Sequence, residues 1–128
     1  MATTPEHNVV RVRGVAILSH GETKPFAFSR YGVEQDGFVL CYNGTFAAFV
    51  NLCPHWNVDL DLGRGEFFDE RFDAIICRNH GALFEPHTGR CKAGPCVGAG
   101  LERFEVTRDG PDLLVHIPPP LLDLSSRD

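Results

Sequence analysis

Thirteen glycines and nine prolines cut this 128-residue chain into short apolar runs. No run between them is long enough for an extended amphipathic helix. The pattern is that of an all-β domain built from short strands and tight turns. Residues 38–42 read as a strand, Asn43-Gly44 as a type I′ turn and 45–50 as the returning strand. Residues 9–12 and 15–18 read as one strand or two, and Phe26 and Phe28 alternate with smaller residues before Tyr31-Gly32. Further strands are expected at 74–77 and 82–84, the latter followed by a turn at 86–89. Residues 101–107 alternate, with Leu101, Phe104 and Val106 facing inward. Asp109-Gly110-Pro111 then turns the chain into a strand at 113–117. Pro118 to Pro120 end the ladder, because proline lacks the amide donor. Residues 118–128 are expected to be a surface or mobile tail. Residues 59–71 have room for at most a short helix or turn.

A chain of this length is expected to be one domain, 1–128, that hides roughly two-thirds of its unfolded surface. Its 43% hydrophobic and 23% charged residues are ordinary for a globular protein. Acidic residues outnumber basic ones 17 to 12, for a net charge of −5, which speaks against a nucleic-acid partner. The acidic excess gathers at Asp59, Asp61, Glu66, Asp69, Glu70 and Asp73, around only Arg64 and Arg71. That stretch reads as a solvated loop, or alternatively as a patch that steers a basic partner. No apolar run approaches the ~18 residues that span a bilayer, and none near the start resembles a secretory leader. The expectation is a cytoplasmic protein without a membrane partner. Its five cysteines, an odd number, would then serve metal binding or catalysis rather than a disulfide framework.

Four residues carry that chemistry. Cys53 and His55 form C-x-H, and Cys77 and His80 form C-x-x-H, with the 21 residues 56–76 between the pairs. Each pair sits where an expected strand runs into a loop, so each loop can bring two ligands to one centre. Two thiolates and two imidazoles suit a closed tetrahedral zinc site. A Cys-His nucleophile pair would use one of each and leave two unexplained. The set also suits a two-iron cluster with cysteines on one iron and histidines on the other.

The wording around the ligands narrows the choice. Asn51-Leu52-Cys53-Pro54-His55-Trp56 is similar to the C-P-H box of the Rieske iron–sulfur family, and Cys77-Arg78-Asn79-His80-Gly81-Ala82-Leu83-Phe84 to its C-x-x-H-G-x-x-F box. Thr88-Gly89 and Gly94-Pro95 resemble the family's hairpin turn and the proline loop that covers the cluster. The resemblance spans residues 38–117 and is closest to low-potential Rieske-type ferredoxins. It implies an antiparallel β-sandwich or barrel with a small cluster-binding subdomain, here residues 51–98. It also implies one [2Fe–2S] cluster per chain, with Cys53 and Cys77 on the inner iron and His55 and His80 on the outer. The interval between the boxes is longer than in most members, the acidic stretch supplying the excess.

High-potential Rieske proteins add a cysteine to each box and cross-link them; the corresponding residues here are Val58 and Asn79. They also place a serine and a tyrosine hydroxyl after the second histidine, where this chain has Ala82 and Phe84. Without those donors the potential is expected toward the low end of the Rieske range, about −150 mV. Potential is also expected to fall as pH rises through the histidine pKa values of the oxidised cluster. Trp56 either packs beside His55 or is an ordinary half-buried side chain. Cys41 reads as a buried inert thiol. Cys91 and Cys96 flank Lys92-Ala93-Gly94-Pro95 and read as two ordinary small residues or as a local disulfide. His7, His20, His87 and His116 read as surface or structural. Residues 94–100 are glycine-rich but lack the ending of a phosphate loop.

The resemblance implies a one-electron carrier that takes electrons from a reductase and passes them to an oxygenase or similar terminal enzyme. Such a component turns over no substrate alone. Alternatives are a non-catalytic or redox-sensing subunit of a larger complex, and a structural zinc module.

Overall fold

The computed structural model describes residues 8–54, 59–61, 65–79, 81–94 and 98–118. Its strands are β1 (Asn8–Val12), β2 (Thr23–Arg30), β3 (Val33–Tyr42), β4 (Thr45–Val50), β5 (Phe68–Asp69), β6 (Ala74–Ile76), β7 (Leu83–Phe84), β8 (Cys91–Ala93), β9 (Arg103–Asp109) and β10 (Asp112–Ile117). They form a six-stranded antiparallel sheet, β1-β10-β9-β4-β3-β2, and a four-stranded one, β5-β6-β7-β8. The outer strands of the larger sheet curl back toward each other, and Asn8 Nδ2 donates to the Ser29 carbonyl at 3.2 Å. The result is a nearly closed barrel with a small sheet packed on one side.

The β3–β4 hairpin forms as its turn chemistry requires. Tyr42 pairs with Thr45, and Asn43 and Gly44 have φ of 50° and 82°, the left-handed pair of a type I′ turn. Because side chains alternate along a strand, the hairpin serves two cores. Val39, Ala48 and Val50 face the barrel interior with Val12, Phe28, Phe104, Leu113 and Val115. Phe38, Leu40, Ala47 and Phe49 face the small sheet with Leu60, Phe67, Ile75, Phe84, Cys53 and Cys77. Burial on both faces explains why these two strands read as nearly continuous apolar runs. Phe38 stacks on Phe67 with ring centroids 4.1 Å apart.

One sequence expectation is corrected. Residues 15–18 are not strand: Val15–Ile17 is a 3₁₀ turn. Gly14, at φ 70°, redirects the chain, Ala16 N–H donates to the Pro111 carbonyl, and only Val15 is buried while Ile17 is 84% exposed. The described part of 59–71 holds turns and no helix, within the expectation of at most a short helix or turn. Phe67 is drawn into the core and Phe68 pairs with Ile75, which makes the short strand β5. Val106, expected inward, is only partly buried. Among the described residues, no helix is long and apolar enough to cross a membrane.

Candidate metal centre

The loop of the first box leaves β4. Asn51 N–H donates to the Asp36 carbonyl at 2.9 Å, which pins the loop to β3. Cys53 follows with 1% of its surface exposed. The second loop leaves β6. Cys77 is fully buried; its N–H donates to the Ala82 carbonyl at 2.9 Å, while its carbonyl accepts from Gly81 N–H at 2.8 Å. These two bonds close the neck of the loop that carries Arg78 and Asn79. Gly81 turns the chain at φ 75°, a conformation that favours glycine. Gly94, at φ 105°, brings the end of β8 so close that an added Cβ would lie 2.9 Å from Ala82 Cα. Ala82 and Phe84 are both buried and apolar.

Cys53 and Cys77 are buried in one apolar cluster and neither is in a disulfide, and Cys41 is a third buried cysteine outside any disulfide, as expected. Cys91 is disulfide-bonded, which decides against its being an ordinary small residue. His55, His80, Trp56, Val58, Pro95 and Cys96 lie outside the described residues, as do His7, Arg64 and most of 118–128. The described histidines have structural partners. His20 Nδ1 accepts from Asn43 N–H at 3.0 Å, His116 Nε2 and Thr107 Oγ1 are 2.8 Å apart, and His87 meets the Tyr42 ring edge-on.

The acidic stretch is not simply solvated. Asp61 and Asp69 are 7% and 8% exposed. Asp61 accepts from Asn51 Nδ2 at 3.2 Å and from Gly65 N–H at 2.8 Å. The Arg71 guanidinium holds the Asp69 carboxyl below its usual range. Desolvation, then the charges of Asp61 and Asp36, push the Asp59 carboxyl up. The backbone of Leu60 also joins the loops: its N–H donates to Asn51 Oδ1 at 2.8 Å and its carbonyl accepts from Arg78 N–H at 2.8 Å. Asn51 and Arg78 stand inside the two boxes, but the box pattern itself gives them no role. Their partners are distant in sequence, and nothing in a single sequence marks such a pairing.

A family model described as the Rieske [2Fe-2S] domain matches residues 8–111. The chain belongs to this family. The Rieske domain is similar to the ferredoxin of carbazole 1,9a-dioxygenase from Nocardioides aromaticivorans IC177, at 31% identity. That match covers 88% of this chain and 98% of that one, with a TM-score of 0.64. The Sphingomonas yanoikuyae B1 ferredoxin matches at 28% identity, over 87% of this chain and 100% of that one, with a TM-score of 0.62. The terminal oxygenase of carbazole 1,9a-dioxygenase from Novosphingobium sp. KA1 shares the fold at 14% identity and a TM-score of 0.62, over 90% of this chain and 31% of that one. No curated protein matches. A Rieske domain carries a [2Fe–2S] cluster. The described residues fit one: Cys53 and Cys77, neither in a disulfide, are buried together in one apolar cluster.

Proposed function

We propose that this Rieske protein is a ferredoxin-type one-electron carrier, taking electrons from a reductase and passing them to an oxygenase or similar terminal enzyme. The observation that carries the reading is the 31% identity to a dioxygenase ferredoxin along 98% of that ferredoxin's length. In this reading 1–128 is a single Rieske domain in the cytoplasm, with the cluster held by the 51–98 portion. Cys53 and Cys77 hold the inner iron, and His55 and His80 the outer. The bound cluster supplies reversible one-electron storage. Burial of both thiolates keeps water from the sulfurs, and the closed neck of the second loop fixes Cys77 against Gly81. Partners of opposite redox role can then use one carrier in turn. The non-catalytic, redox-sensing reading draws on the Cys91 disulfide and predicts a partner that stays bound on purification.

The test is the purified protein's iron and acid-labile sulfide content together with the EPR spectrum of its reduced form. Two irons and two sulfides per chain, with an average g-value below that of an all-cysteine cluster, are expected. Cys53→Ala and Cys77→Ala abolish the signal. Electrons from a flavoprotein reductase should reach the wild type and reduce it fully. A colourless protein with one zinc per chain overturns the reading.

A further inference from the structure

We propose that Asn51, Asp61 and Arg78 are positioning residues for the iron–sulfur centre, setting the spacing of its two ligand loops through the backbone of Leu60. The proposal rests on the reading that Cys53 and Cys77 hold the cluster. Asn51 stands two residues before Cys53, and both ends of its side-chain amide are used. Oδ1 accepts from Leu60 N–H at 2.8 Å, and Nδ2 donates to Asp61 Oδ1 at 3.2 Å. The other Asp61 oxygen accepts from Gly65 N–H at 2.8 Å, which folds the segment back on itself. Leu60 is fully buried in the cluster that contains Cys53 and Cys77. Its carbonyl accepts from the N–H of Arg78, the residue after Cys77. A continuous chain of hydrogen bonds therefore runs from the first loop, through Leu60, to the second.

Arg78 adds a second hold on the same segment. Its Nε donates to the Glu66 carbonyl at 3.3 Å, and its terminal nitrogens lie 3.8 Å from Glu66 Oε1 and 4.0 Å from Asp69 Oδ2. The guanidinium is planar and forked, so its donors reach a carbonyl and two carboxylates spread along the segment, a fixed geometry that the compact ammonium of lysine does not reproduce. The long interval between the boxes thus supplies the brace. It also answers a need. Val58 and Asn79 offer no thiol to cross-link the loops, and neither Cys53 nor Cys77 is in a disulfide. A ligand pair held only by its own loops would be loose, and sites need support around their ligands to keep their geometry. The side-chain bonds of this brace are partly buried, and leaving a partner unpaired where water is partly excluded is costly.

The test compares loaded wild type with Asn51→Leu, Asn51→Asp, Arg78→Met, Arg78→Lys and Glu70→Gln. Iron release to a chelator, EPR line width and reduction potential are measured. Asn51→Leu is expected to release iron about tenfold faster, with broadened lines, as loss of a partly buried hydrogen-bonded pair implies. The isosteric Asn51→Asp should behave similarly, because it sets a second carboxylate against Asp61; it serves if Asn51→Leu does not fold. Arg78→Met should release iron faster and lower the potential by removing a nearby positive charge. Arg78→Lys should restore the potential but not the retention. Glu70→Gln, on the exposed side of the same segment, should match wild type. Wild type with a Rieske signal, whose Asn51 and Arg78→Met variants match it in release rate and line width, overturns the proposal alone. Wild type without that signal overturns the functional reading and the proposal with it.

Discussion

At the scale of single residues, the side chains next to the ligands decide how readily the cluster accepts an electron. Ala82 and Phe84 are buried with Cys53 and Cys77 in one apolar core, and neither can donate a hydrogen bond. Reduction adds negative charge, and a donor aimed at a sulfur would stabilise that state. Their apolar character therefore predicts a potential toward the low end of the Rieske range. Ala82→Ser and Phe84→Tyr restore the two hydroxyls with little change in volume. A hydrogen bond to a charged group is worth about 1.5–3 kcal/mol, and a one-electron potential moves ~59 mV per factor of ten. If much of that energy favours the reduced state, each substitution raises the potential by tens of millivolts to about 100 mV. Direct voltammetry checks this, and two variants with the parent's potential remove the donor account.

At the scale of elements, the site is a junction of turns, and each turn has its own requirement. Gly94 is the tightest. Alanine there must adopt φ near 105° and place its Cβ 2.9 Å from Ala82 Cα. Backbone strain of this kind costs about 1–3 kcal/mol, and the clash adds to it. Gly98 has φ 100° with none of the described residues within 4 Å of the added Cβ, so among them Gly98→Ala meets the strain alone. Gly94→Ala should therefore lower the chemical-denaturation midpoint more than Gly98→Ala; equal midpoints would show that the close approach to Ala82 is unimportant. Local chemistry of this sort is what a sequence exposes. The Asn43-Gly44 hairpin was legible because its turn type needs those residues, and the Cys53 and Cys77 boxes because a metal centre needs those spacings. The 3₁₀ turn at Val15–Ile17 was not legible, since it depends on a contact with Pro111. Strand β5 was hidden inside a charged stretch, because only its pairing with β6 distinguishes it from loop. The Asn51–Leu60–Arg78 chain was invisible for the same reason: each bond joins segments that only the finished fold brings together.

At the scale of the whole molecule, the β3–β4 hairpin makes the two cores interdependent. Its strands form one wall of the barrel and the floor beneath the cysteines, so weakening the barrel loosens the site. Asp112, remote from the ligand loops, tests this coupling. Its carboxylate accepts from Gly14 N–H at 2.9 Å and from Arg11 at 3.0 Å, tying the corner after β1 to the start of β10. The Gly14 amide first, and then the Arg11 guanidinium, hold the Asp112 carboxyl below its usual range. A carboxyl with a lowered folded-state pKa stabilises the fold above its unfolded value, about 3.9. That contribution is lost as pH falls through the folded value. Asp112→Asn cannot ionise and should lower the denaturation midpoint at pH 7, with faster iron loss although no ligand loop is touched. The deficit relative to wild type should narrow as pH falls below about 4, because wild type then loses the same charge. Circular dichroism of both proteins across the pH series reads it, effects common to both cancelling. A deficit as large in acid as at neutrality would mean that the Asp112 charge does not hold this corner; an unchanged rate of iron loss would mean that the two cores open independently.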